Sequence, residues 1–467
     1  MFSYLDKIRK LNNNWKYENV ICILFVVAGI IGWQFNYIIS AISVLVLTAF
    51  FLVVHNDNKY IIPGGLILLF SYNNGFVAEE IPFDIIIPVA LYAILVIIFA
   101  IKNFKLKSFK KNKSYIGFSI MAVCCFVPIF WNDTITSENS ILYVMYFSWF
   151  LYLVGYLVIS LTLGDNSFRM LIFSFSWLAM LLSYECIITP LTIYFEDPSQ
   201  NILSIIFQLG WGVCNEGGIM LCFLIPFIMY ELLKSRSTVF MCISHLKLII
   251  VLVGILLTNS RGSILFCVLE YVSLMVLVII FSKEKLFNIS LLVFFTTILC
   301  VGFNLKFGFA KFFDDMDHIV FLNDFISTGR TEVWSMARAQ WDKSIITRIF
   351  GSGIVSEFQV MRSYRGEANI YVVYHSTYYE MLVVGGIIGV VGMFIHFIEK
   401  YRILIPKDFP FLFVMLAGFA IIDFYGMIDN TYGMYYYMVP LIILISVVEK
   451  NDNLELFDKY KLESISY

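Results

Sequence analysis

The stretch LFNISLLVFFTTILCVGFNLKFGFAKFFDDMDHIV, residues 286–320, opens with a charge-free apolar run through Phe303 and turns polar at Asn304. An uncharged run of this kind meets the requirement for a helix crossing a bilayer, about 20 predominantly apolar residues. The polar sequence continues to His375, where YHSTYYEMLVVGGIIG (374–389) becomes apolar again. At 72 residues (375 − 304 + 1), it is the one long polar interruption in the chain. The chain therefore divides around it. An N-terminal transmembrane bundle is expected over 1–303, a loop containing short helices over 304–375, and C-terminal transmembrane helices with a short charged tail over 376–467.

Hydrophobic residues make up 60% of the 467 and charged residues 14%, against about 45–50% and about 25% in soluble domains. This composition predicts an all-α polytopic membrane protein with about 12–14 transmembrane helices. Apolar segments fall near 20–35, 38–54, 60–77, 84–101, 115–131, 140–163, 170–189, 202–233, 247–258, 263–281, 286–303, 376–398, 409–428 and 431–448. The 202–233 segment is long enough to contain a surface helix or a break, and 247–258 is short. The first residues, MFSYLDKIRKLNNNWKY, are polar and basic, so the first span is expected to double as the signal. The nine cysteines lie in or beside apolar segments and none lies in the long loop. That argues against a disulfide framework or a cysteine-based zinc site.

Charge along the chain sets the expected topology. With a cytoplasmic N-terminus, alternation assigns 23 of the 32 Lys and Arg residues to the inner side, including Lys59, Lys247, Lys400 and the six lysines of KNFKLKSFKKNK (102–113). The short outer loops AEEIPFD, WNDTITSEN and YFEDPSQN carry none, which leaves Arg261 and eight cations of the long loop. Cytoplasmic loops carry the excess of Lys and Arg, and long loops escape the rule. Both termini are therefore expected inside, and the 304–375 loop outside the cytoplasm.

Three groups near that loop suit chemistry on a phosphate-bearing lipid, because guanidinium forks match phosphate and imidazole moves protons. Arg261, in TNSRGSILF, stands at the junction of two apolar segments. Ionisable residues so placed mark a substrate path, a buried pair or an interfacial anchor. Arg330 opens a helix in ISTGRTEVWSMARAQWDK, after the cap candidates Thr328 and Gly329. Val333, Ala337, Trp341 and Ile345 recur every four residues beside a stripe of Arg330, Trp334 and Arg338, as an amphipathic helix requires. Exposed N–H groups at such a helix start favour anions, and the alternative for Arg330 is snorkelling toward headgroups. His375 starts the next apolar segment, where a neutral imidazole could serve as a base; a lone histidine can also be structural. WGVCNEGGIML sets Asn215 and Glu216 between glycines, for substrate contact, to hold an arginine, or as a structural ion pair. Asp314, Asp315, Asp317 and His318 read as a solvated run rather than a metal site. Asp423, in AIIDFYGMIDN, is assigned no role.

These motifs resemble the O-antigen ligase and O-antigen or capsule polymerase superfamily, of the Wzy and WaaL type. The resemblance rests on NSRG after an apolar segment, TGRTEVW opening the loop helix, HSTYYEMLVVGGIIG after the loop, and NEGG upstream, over roughly 211–395. It implies a metal-independent, GT-C type glycosyltransferase that needs no cofactor and acts on undecaprenyl-pyrophosphate-linked glycans in the bacterial inner membrane. It also implies that Arg261 and Arg330 grip the pyrophosphate and that His375 deprotonates the acceptor hydroxyl, with Arg338, Trp334, Asn215 and Glu216 as secondary contacts. One departure is Ser376, where the family often has Asn after the histidine. Partners implied are the lipid-linked oligosaccharide, membrane lipid, and chain-length regulator and flippase proteins, with no nucleic acid. Ligase and polymerase differ in acceptor, which these motifs do not separate. A lipid-linked oligosaccharide flippase is the rival class, but transporters show inverted repeats and midplane charges, whereas here polar residues gather at the outer face.

Overall fold

The computed structural model describes residues 11–12, 14–72, 83–103, 114–130, 140–163, 167–199, 202, 205–235, 237–307, 330–353, 374–432 and 434–450. Its helices are α1 (Trp15–Phe35), α2 (Tyr37–His55), α3 (Ile61–Phe70), α4 (Phe83–Lys102), α5 (Tyr115–Phe126), α6 (Ser140–Thr162), α7 (Ser167–Glu196), α8 (Cys214–Lys234), α9 (Thr238–Leu257), α10 (Arg261–Phe281), α11 (Lys285–Phe307), α12 (Arg330–Trp341), α13 (Ile345–Phe350), α14 (Thr377–Arg402), α15 (Phe409–Tyr425) and α16 (Tyr435–Lys450). The only sheet among the described residues is a two-residue hairpin of β1 (Gln208–Leu209) and β2 (Gly212–Val213). Eight of the described helices are long and apolar enough to cross a membrane, and five other apolar helices are shorter. The chain is an all-α polytopic membrane protein.

Each expected apolar segment holds a helix, with two boundaries redrawn. The 202–233 segment splits into the hairpin and α8. The short 247–258 segment is the second half of α9, which begins at Thr238. Lys247, expected near the inner surface, thus lies inside the helix. It is buried there because its ammonium meets Glu231 at 3.1 Å and Ser176 at 2.9 Å, and stands 4.0 Å above the Trp177 ring. An ionisable group inside a bilayer survives when paired in this way.

The centre of the bundle is α8, with 94% of its apolar window enclosed by protein. It is packed by α7, α9, α10 and α15. Since α8, α10, α14 and α16 start where α9 and α15 end, these termini gather at one end of the bundle. The opposite end is tied by ion pairs: Lys59 meets Glu18 at 2.6 Å, Arg169 also bonds Glu18, and Lys234 meets Asp408 at 3.4 Å.

A further buried pair joins α14 to α15. Lys400 Nζ lies 2.6 and 2.7 Å from the two Asp423 oxygens and 2.7 Å from the Tyr432 hydroxyl. Tyr432 in turn donates to Asp423 at 2.8 Å. The rings of Phe397, Tyr401, Phe419 and Tyr432 surround the ammonium at 4.9–5.4 Å. This arrangement fixes Tyr432, and with it the end of the α15–α16 connection.

Candidate functional site

Four segments meet at the end of the bundle where α8 begins. The hairpin delivers the chain into α8, and Glu216 caps its own helix by accepting the Val213 N–H at 2.8 Å. Its other oxygen accepts from the Tyr436 hydroxyl at 3.3 Å. Glu216 is thus engaged in holding the helix start, while Asn215 beside it is exposed. Two residues on, a Cβ on Gly218 would lie 2.6 Å from Ser263 Oγ and 2.8 Å from Thr258 Oγ1. Only glycine lets NEGG press against the TNSRGS turn so closely.

In that turn Asn259 takes a left-handed backbone (φ 52°) and the Ser260 hydroxyl caps α10 by accepting the Ser263 N–H. Arg261 is the first residue of α10 and is exposed. Its neighbour Gly262 faces the Tyr425 ring, whose hydroxyl donates to Asp429 Oδ2 at 3.3 Å. The arginine turn thereby abuts the α15–α16 connection.

His375 stands on that connection. Its Nδ1 lies 3.4 Å from Asp429 Oδ1, and its side chain is 42% exposed. An ionised carboxylate only accepts, so this contact places the ring proton on Nδ1 and leaves the Nε2 lone pair open. Asp429 is itself held by the Asn430 N–H at 2.8 Å and by Tyr425. The histidine backbone is left-handed (φ 48°). Thr377 fixes the segment, with its N–H on the Gly426 and Asp429 carbonyls at 2.8 and 3.1 Å. Its hydroxyl accepts the Thr431 N–H at 2.8 Å. Glu380, one turn along α14, accepts from the Asn430 side chain.

The fourth segment is α12, opened by Arg330 as expected, although the Arg330 side chain lies outside the described ones. Trp334 Nε1 donates to the Tyr374 carbonyl at 3.1 Å, directly before His375, and its ring stacks on Tyr379 at 5.4 Å. Arg338 bonds the Tyr379 hydroxyl through Nη2 at 2.7 Å. Ala337 is fully buried against Tyr374 and Val383 with Val333 packed beside it, the first half of the apolar stripe read from the sequence. The stripe does not continue to Ile345, because Ser344 caps a new helix there and Ile345 is exposed. Trp334 and Arg338 therefore dock α12 on α14. Arg330 starts the helix about 6 Å along its axis from Trp334. Thr328, Gly329, Asp314, Asp315, Asp317 and His318 lie outside the described residues.

The structure thus brings the elements carrying Asn215, Glu216, Arg261, Trp334, Arg338 and His375 to one end of the bundle, with Arg330 opening one of them. Sequence reading missed Asp429, Tyr425 and Thr377. The available signal was the acid–amide pair Asp429–Asn430 in a polar break between two apolar segments.

Residues 246–394 match the family model described as O-Antigen ligase. This is consistent with the O-antigen ligase and polymerase superfamily and supports a glycosyltransferase-like role in polysaccharide assembly. The match runs from within α9 to within α14, so it takes in Arg261, Arg330, Trp334, Arg338 and His375. Asn215, Glu216 and Asp429 lie outside it. No curated protein matches the chain.

Proposed function

We propose that the protein is a bacterial polysaccharide repeat-unit polymerase. It transfers a glycan from undecaprenyl pyrophosphate to a hydroxyl of an acceptor repeat unit, on the extracytoplasmic face of the inner membrane. The observation that carries this reading is an imidazole with its Nδ1 engaged by Asp429, at the bundle end where the Arg261 turn and the Arg330 helix also meet.

The chemistry follows from these positions. The acceptor oxygen attacks the anomeric carbon of the donor sugar and gives its proton to His375 Nε2. The bond between that carbon and the pyrophosphate oxygen breaks, and the pyrophosphate leaves with the electron pair. Arg261 and Arg330 hold the departing anion, as guanidinium groups fixed before the reaction stabilise developing charge. Asp429 orients the imidazole and favours the imidazolium formed in the step. A base so placed contributes about 10²- to 10⁴-fold.

The family match also favours a second reading, ligase-type transfer of the glycan to a different acceptor. Purified protein incubated with an undecaprenyl-pyrophosphate repeat unit separates the two. A ladder of glycans supports the polymerase; a single transfer seen only with an added foreign acceptor supports the ligase. Absence of any transfer, with lipid-linked oligosaccharide moving between leaflets of proteoliposomes, would favour a flippase. A reporter fused at Gly366 tests the outer position of the 304–375 loop, and activity of a cytoplasm-only reporter there would overturn the topology.

A further inference from the structure

The helix that follows His375 is broken, and another segment fills the break. Gly386, inside α14, has φ 61° and ψ −161°, outside any helical region. In an unbroken helix the Val383 and Val384 carbonyls would accept the N–H groups four residues on. Instead they accept Ser352 N–H at 2.7 Å and Gly353 N–H at 3.2 Å, from the chain leaving α13.

The two backbones approach too closely for side chains. A Cβ on Gly351 (φ 81°) would lie 2.2 Å from the Val384 carbonyl oxygen, and one on Gly386 would lie 2.5 Å from Gly351 N. Two positive-φ glycines from distant segments thus share one joint: a side chain on Gly386 would run into Gly351 and Ile349, and one on Gly351 into Val384 and Gly385, the two residues before Gly386.

Among the described residues, this joint is a second attachment of the α12–α13 unit. The first is at Trp334 and Arg338, on Tyr374 and Tyr379. With one attachment α12 could pivot over the site; with two, at separate points along the unit, its orientation is set. Both attachments lie on residues 374–386, the segment that also carries His375. Resting on the proposed reading of Arg330 and His375, we infer that Gly351 and Gly386 are positioning residues, whose interlock holds the Arg330 helix in register with the His375 ring.

The test uses the full-length protein with spin labels at Ala339 and Val391, both exposed, in a background where exposed Cys242 is serine. Gly351→Ala and Gly386→Ala open the joint from its two sides, so either one suffices if the other fails to fold. Each should broaden the label distance distribution and lower kcat at least tenfold, with donor KM changed little. Gly351→Ala added to Arg330→Lys, which keeps part of the rate, should cost far less than it does alone, because it acts through that arginine. An unchanged distance distribution, unchanged kcat, or losses that multiply with Arg330→Lys would overturn the inference. Full turnover by Arg330→Ala alone would sink the phosphate reading, and the label distances would still report whether the joint holds.

Discussion

His375 Nδ1 and Asp429 Oδ1 lie 3.4 Å apart although they belong to different connections, one leading into α14 and the other linking α15 to α16. The Thr377 bonds to Gly426, Asp429 and Thr431 bring those connections together, so the pairing is built by backbone as much as by side chains.

Asp429→Asn keeps the shape but replaces an obligate acceptor with a group that also donates, which permits the wrong ring tautomer. Product formation should fall about 10²- to 10⁴-fold, while binding of the lipid-linked donor is retained. Near-normal turnover of this variant would leave His375 without an orienting partner and reduce the pair to a structural contact.

Replacement of Arg261 or Arg330 by alanine should abolish product while the protein still inserts in the membrane. Lysine should restore only part of the rate, because an ammonium lacks the bidentate fork. Polymer yield from Arg261→Ala close to that of the native protein would make this residue an interfacial anchor.

Gly218→Ala should act at a distance. Its new methyl would displace Ser263 and Thr258, and with them the turn that presents Arg261. We expect reduced turnover and weaker donor affinity, together with a cost of about 1–3 kcal/mol in stability from overpacking. Unaltered kinetics would mean that the turn can shift without moving the arginine.

Breaking the Lys400–Asp423 pair should be costlier than removing it. Asp423→Ala strands a fully buried ammonium, a loss of about 3–5 kcal/mol, whereas Lys400→Met combined with Asp423→Leu should recover much of that. Thermal unfolding in detergent distinguishes the cases, and a double variant no more stable than the single one would contradict the account.

Chelators should leave activity intact if Asp314, Asp315 and Asp317 are a solvated run. Loss with EDTA and recovery with Mg²⁺ or Mn²⁺ would reassign them.

The spans were legible because a bilayer demands long apolar runs, and composition alone supplies that signal. The start of the loop helix was legible for a similar reason: the recurrence of Val333 and Ala337 became the face packed on Tyr374 and Val383, while its continuation to Ile345 was cut by the Ser344 cap. What escaped was pairing. Lys59, Lys247 and Lys400 read as inner-surface cations, yet each is buried against a carboxylate from another helix. Nothing in local sequence announces a partner that is distant along the chain. Asp429 escaped for the same reason, since its role exists only once the α15–α16 connection folds over His375. The Gly386 break was hidden too, because VGGIIG is as compatible with a packed helix as with an unwound one.

The left-handed backbone of His375 limits which replacements can report on its ring. A β-branched residue there would disturb the chain path into α14, so a dead His375→Val variant would not distinguish lost proton transfer from a misplaced Thr377. Asparagine tolerates that conformation and keeps a hydrogen-bonding amide near Asp429 while offering no basic nitrogen. His375→Asn is therefore the cleaner probe of whether the reaction needs a base at this position, and any family of variants compared here should be chosen by backbone tolerance first.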